Sequence, residues 1–295
     1  MKIYAKLLLT AIFWGGAFIA GRFVSQNVGA FSIAFLRFAT ASILLILLTW
    51  KIEGKLPPLK KFQIIPVILL GMTGIFAYNV MFFKGLKIIE AGRASLIIAT
   101  CPIFITVSSA CFLKERINLV KALGITISVS GAIIVISKGN PLEIFGGNLG
   151  WGELYIFCCV LSWTAYSLIG KAVMNGLSPL VSVSYSAAVG AIALSIPAYF
   201  EGLMQNIRYH SIMDWLCILY LSIFGTVIGF VWYYQGVKHI GPTKAGLFIN
   251  FVPIFAILLA FLILREAITV SLLIGAVLVI KGVYLTNRTP KGRAI

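Results

Sequence analysis

A chain of 295 residues that is 60% hydrophobic and only 11% charged, with a mean hydropathy of +1.03, is too apolar to be a water-soluble domain. Its net charge of +16 does not mark a nucleic-acid binder, because the basic residues lie between apolar runs rather than among stacking aromatics on a polar face. The five cysteines all fall in apolar segments and read as small buried hydrophobes, and two histidines, His210 and His239, are too few to suggest a metal site.

Apolar runs long enough to cross a hydrocarbon core of ~30 Å recur along the whole chain, and breakers divide them into ten predicted spans. The first, 5–24, contains Trp14; its basic start and apolar run resemble a secretory signal, but a similar internal segment at 154–171 favours a retained helix. The second, 30–50, carries Arg37 about seven residues in, roughly 10 Å deep at 1.5 Å per residue, where a charge needs a partner. Pro57–Pro58 and nearby lysines mark a loop before the third span, 64–84, which holds Tyr78 and Asn79. The fourth, 92–112, is interrupted by Pro102 beside Thr100, and the fifth, 118–137, has Gly124 and Gly131 on one helical face. A Gly-rich join at 141–152 follows.

The sixth span, 153–172, places Tyr166 one turn after Trp163, and the seventh is 179–200. Tyr233 lies in the eighth, 212–235, amid Trp232, Tyr234 and Gln235. The ninth, 243–264, repeats the proline break with Asn250 and Pro253, and the tenth, 268–286, repeats the glycines with Gly275 and Gly282. Asn118 and Thr269 are expected N-caps of the fifth and tenth spans.

The second half echoes the first. "AGRASLIIATCPIF" at 91–104 and "PTKAGLFINFVPIF" at 242–255 share six of fourteen positions, among them Pro102/Pro253. The same offset of 151 pairs Gly74 with Gly225, Gly85 with Gly236, Glu115 with Glu266, Gly124 with Gly275 and Gly131 with Gly282 without a gap. Near the start an offset of 149 pairs Trp14 with Trp163 and Arg22 with Lys171. The expected organisation is therefore two five-helix repeats, 1–140 and 153–295, joined by 141–152.

Five crossings per repeat make the second copy enter the membrane from the opposite side. Placing both termini inside puts sixteen basic residues on the inner side and seven on the outer, which agrees with the positive-inside rule. The expected fold class is thus an all-α membrane protein of two inverted repeats around a central cavity.

Inverted repeats suit alternating access in a secondary transporter. Each proline removes the N–H partner of a carbonyl one turn earlier, at Ile98 and Ile249, near the middle of its span. Trp14, Arg37, Tyr78, Asn79, Thr100, Trp163, Tyr166, Tyr233 and Asn250 are the candidate substrate-binding residues. Packing is the competing explanation for any single aromatic, a bend in a packed helix for the prolines, and a structural partner for Arg37. Spans 1, 3, 4, 6, 8 and 9 are expected to line the cavity, with the glycine faces of spans 5 and 10 as a brace. No acid lies mid-span, which disfavours an organic-cation exporter and favours a zwitterionic or anionic cargo. No span interior offers His, paired carboxylates or a metal cluster, so an enzyme is not expected, nor is a cofactor.

Several marks together resemble the EamA-type drug/metabolite transporter superfamily. They are "FWGGAFIAGR" in the first span, "LRF" in the second, the Ala-Ser-Leu run before Pro102, Leu-x-Glu ending at Glu115 and Glu266, and the paired glycines. The resemblance implies ten helices in a basket, cytoplasmic termini, a bacterial inner membrane, and export or exchange of small metabolites, often amino acids. It also leaves a flippase or carrier of lipid-linked or nucleotide-linked sugars as the alternative. Members typically have Lys where this chain has Arg22, and Gly246 departs from Ser95 at the matched position of the first half. Partners are expected to be a small-molecule substrate and membrane lipids, with no nucleic acid; the chain is expected as a monomer, with a homodimer as the alternative.

Overall fold

The computed structural model describes residues 2–113, 119–137, 139–140, 150–173, 176–240, 245 and 247–287, and every regular element among them is helical. Helices α1 (Lys2–Val24), α2 (Ala30–Glu53) and α3 (Lys61–Ile88) precede α4, which comes in two pieces, Ala91–Ile98 and Cys101–Leu113. Then come α5 (Leu119–Ile136), α6 (Trp151–Val173), α7 (Pro179–Phe200) and α8 (Ile212–Ile240). The segment α9 begins as a 3-10 turn, Leu247–Phe251, and runs on through Val252–Leu259 and Ala260–Leu264; α10 is Val270–Asn287. These residues form an all-α membrane protein: eight helices have spanning length and apolarity, and α9 and α10 contain the shorter apolar stretches Phe248–Leu264 and Val270–Leu285.

Helices α3 and α8 extend past the bounds expected from hydropathy, to Ile88 and Ile240. The extra turns carry Lys87 in one and Lys238 and His239 in the other, side chains that end an apolar window without ending a helix. Glu115, Asn118, Gly246 and 141–149 of the Gly-rich join lie outside the described residues.

Both α3 and α8 loosen into π-helix at matched depths, Gly71–Ala77 and Leu221–Ile228. A π-turn shifts the hydrogen-bond register by one residue and leaves carbonyls for side chains to claim. Asn79 claims two, donating Nδ2 to Gly74 O at 3.2 Å and to Ile75 O at 2.9 Å. In α8, Thr226 Oγ1 donates to Leu221 O at 3.0 Å and Trp14 Nε1 donates to Gly225 O at 3.0 Å.

The breaks in α4 and α9 fall at the prolines. In α4 the chain turns at Ala99–Thr100, with Thr100 Oγ1 donating to Ile97 O at 2.7 Å, and restarts at Cys101 with Pro102 in its first turn. In α9 the 3-10 turn ends at Phe251 and the α-helix restarts with Pro253 in its first turn. A first-turn N–H has no intrahelical acceptor, so proline is tolerated there.

Helices α5 and α10 meet along their glycine faces. A Cβ on Gly131 would lie 2.7 Å from Leu278 Cβ and 2.8 Å from Val279 N; one on Gly282 would overlap Ser128, and one on Gly275 would overlap Val135. Gly124 O stands 2.6 Å from the place of the Gly282 Cβ. Thr269 Oγ1 accepts from Leu272 N at 3.2 Å and caps α10.

Acids from distant segments cap other helices. Glu266 accepts from Ala91 N at 3.0 Å and Gly92 N at 3.2 Å, where α4 begins, and Glu201 accepts from Ser32 N and Ser32 Oγ at 2.7 Å, where α2 begins. Negative charge at a helix N-terminus satisfies its orphan N–H groups. The next residue of α4, Arg93, pairs with Glu153 of α6 at 2.9 Å and also donates to Ile136 O.

Candidate functional site

A cavity of about 60 Å³ lies where α1, α2, α3, α4, α6, α8 and α9 converge. Trp14, Ala17 and Phe18 of α1, Tyr78 and Phe82 of α3, Ile98 and Cys101 of α4, Trp163 of α6, Phe230 of α8, and Ile249 and Val252 of α9 line it, with Arg37 from α2. Among the described residues, helices α5, α7 and α10 contribute none to the wall. The six wall helices expected from sequence are present, and α2 joins them through one side chain. The space holds a few waters and is far smaller than the several hundred Å³ of a filled ligand pocket.

An aromatic box forms one side. Trp14 and Trp163 meet edge to face with ring centroids 6.0 Å apart, and Phe230 packs edge-on against both, at 5.9 Å and 5.6 Å. Tyr78 lies 5.3 Å from Trp163 and stacks on Phe82 at 5.8 Å. Trp14 is fixed by its indole bond to the π-segment of α8, so the box is anchored to the backbone.

Arg37 is the charged member. It is 5% exposed and lies with its guanidinium carbon 5.0 Å from the Phe38 ring. Its Nε donates to Thr226 Oγ1 at 2.9 Å and its Nη1 to Asn79 Oδ1 at 2.9 Å. It thereby ties the π-segment of α8 to that of α3, and neither partner is an acid. Arg93–Glu153 is the ion pair found among the described residues. A buried cation without a counter-ion costs at least about 3 kcal/mol at membrane depth, so its retention calls for a reason.

The sequence candidates divide by position. Trp14, Arg37, Tyr78 and Trp163 face the cavity. Asn79 is 1% exposed and stands behind the wall, its amide shared between Arg37 and the α3 carbonyls. Tyr166 and Tyr233 form the next layer, with ring centroids 5.3 Å from Trp163 and 5.3 Å from Trp14 respectively. Thr100 is buried in the α4 break beside Cys101. Asn250 is buried next to the wall residue Ile249, and its Oδ1 has no hydrogen-bond partner among the described residues. The prolines place Ile98 and Ile249, whose carbonyls lose the donor one turn on, at the cavity itself.

Sequence reasoning missed Thr226, Phe230 and Cys101. Thr226 follows Gly225, and the Gly74/Gly225 match was the available signal for the π-segments. Phe230 stands at the position 151 residues after Asn79, so the polar clamp on Arg37 is not duplicated in the second half.

The fold and cavity define a multi-pass helical membrane protein with a small central chamber. The EamA-like transporter family model matches residues 1–137 and 150–288, and the chain belongs to that family. It is 30% identical over 298 residues to "Uncharacterized transporter YyaM" of Bacillus subtilis (strain 168), covering 99% of this chain and 96% of that protein. An "Uncharacterized transporter" of Archaeoglobus fulgidus is 30% identical over 293 residues, covering 98% and 99% of the two chains. A "Probable terminal-alkyne amino-acid exporter" of Streptantibioticus cattleyicolor is 27% identical over 294 residues, covering 99% and 95%. A crystal structure of a protein shares the fold, with a TM-score of 0.66 at 19% identity over 97% of this chain and 96% of that one. The chain is thus a transmembrane transporter of this family.

Proposed function

We propose that this transporter moves small metabolites, amino acids foremost, by alternating access through the aromatic chamber, as a secondary transporter rather than an enzyme. The observation that carries the reading is the composition of the wall: aromatic and aliphatic side chains, one guanidinium, and no acid. Once the halves part and widen it, a chamber so lined suits the apolar side chain and carboxylate of an amino acid, and its wall lacks the buried carboxylate that an organic-cation exporter offers its cargo. Ile98, one turn before Pro102, is a wall residue, and its carbonyl is the acceptor we propose for an ammonium group. The relative from Streptantibioticus, named for an amino-acid cargo, supports the same class.

Two inverted repeats, 1–140 and 153–295, are the proposed moving halves; the matched π-segments and proline breaks support this. The plasma membrane with both termini cytoplasmic is the proposed setting, supported by the excess of basic residues on that side. The test is uptake of a labelled amino-acid panel by proteoliposomes, with and without an imposed pH gradient. Uptake of one group is the expected result, and a gradient effect would report proton coupling. Folded protein that moves no amino acid would sink the reading and turn attention to nucleotide-linked or lipid-linked sugars.

A further inference from the structure

Arg37 has five N–H bonds, of which two are used. The other three, including both on Nη2, have no acceptor among the described residues, although the side chain is 5% exposed and faces the cavity. Nη2 points toward the glycine of the α8 π-segment: a Cβ on Gly225 would lie 3.3 Å from it. A side chain added there would crowd the guanidinium edge, so the glycine keeps that edge approachable. The partners that Arg37 does have are neutral, which leaves its charge without a counter-ion among the described residues.

A buried guanidinium with spare donors and no counter-ion is matched by a planar anion that brings its own charge. We propose that Arg37 is the specificity-determining residue for a carboxylate on the cargo; this deepens the reading of the chamber as a transport site and rests on it. A carboxylate pairs two-pronged with a guanidinium through Nη2 together with either Nε or Nη1. Either choice engages a nitrogen that already holds Thr226 or Asn79. Cargo recognition and the tie between the π-segments of α3 and α8 therefore meet on one group. Asn79 serves as a positioning residue: it holds Nη1 while supplying no charge of its own.

The experiment compares L-leucine, L-leucinamide and 4-methylpentanoate as stabilising ligands of the purified full-length protein, and as competitors of uptake in proteoliposomes. These probes separate the carboxylate from the ammonium. In the wild type, the two carboxylates should bind more tightly than the amide by roughly 30-fold or more, the scale of losing one partner of a desolvated charge pair. Arg37→Met should shrink that ratio to within about threefold, while Arg37→Lys should keep a preference for carboxylates. Asn79→Asp supplies the missing counter-charge from inside the wall. It keeps Arg37, and it should abolish the carboxylate preference or reverse it toward leucinamide even if Arg37→Met fails to fold.

A ratio unchanged in Arg37→Met or in Asn79→Asp overturns the proposal, as does a wild type that binds carboxylate and amide alike or binds no carboxylate at all. Equal binding of 4-methylpentanoate and leucine would count against amino acids as cargo while leaving the role of Arg37 standing.

Discussion

The α5–α10 seam and the facing walls α3 and α8 are built from the same ingredient, matched glycines, yet they do opposite things with it. In the seam, Gly131, Gly275 and Gly282 bring two regular α-helices so close that no Cβ fits. In the walls, Gly74 and Gly225 sit inside π-helix, where the backbone leaves carbonyls that Asn79, Thr226 and Trp14 take up. The seam is closed by dispersion between fixed surfaces, and it has one good arrangement. The walls are held by a few polar contacts that can be exchanged for others. A glycine pair alone therefore does not say whether a helix is brace or moving part; the polar residues one turn away do.

The hardest break falls on the seam. Gly131→Leu should cost more than the roughly 1–3 kcal/mol typical of overpacking, because the new side chain meets the α10 backbone, and the loss should show as a collapse in Tm and in monodisperse yield. Arg37→Met should do the reverse. Removing a desolvated charge offsets leaving Asn79 Oδ1 without its donor, so stability should stay within about 2 kcal/mol while transport falls at least tenfold or so. A parallel loss of Tm and transport in Arg37→Met would erase the distinction between brace and wall.

Smaller effects sharpen it. Thr226→Val removes the Nε contact and the bond to Leu221 O, and should cost about 1 kcal/mol in unfolding and a few-fold in uptake. Glu266→Gln leaves a single acceptor oxygen for the Ala91 and Gly92 N–H groups and removes the charge from the start of α4. It should lower stability by about 0.3–1 kcal/mol, measured as a small Tm shift that shrinks with added salt.

Much of this was legible in the chain because it is written as spacing. Apolar length announced the spans, the shared offset pairs residues of the two halves, and Pro102 and Pro253 mark where α4 and α9 change their helical form. The π-segments were not legible as such, because an α-turn and a π-turn use the same apolar residues and differ only in which carbonyl each N–H finds. The partners of Arg37 were half legible: Asn79 was chosen for its polarity at depth, but Thr226, 189 residues away, passes in sequence for an ordinary membrane threonine. Reading Asn79 as a cavity residue also missed that its amide has both ends occupied by the protein.

The seam has one more property. Gly131 meets Val279, and Gly282 meets Ser128; under the 151-residue shift these two contacts exchange with each other. A contact that maps onto itself in this way has the form of an isologous interface, the kind two copies of one surface make when they dimerise. Here both surfaces are on one chain, so the junction forms at an effective concentration set by the tether. Diluting the protein a thousandfold in lipid should leave this junction as closed as before, whereas an interface between separate subunits would come apart.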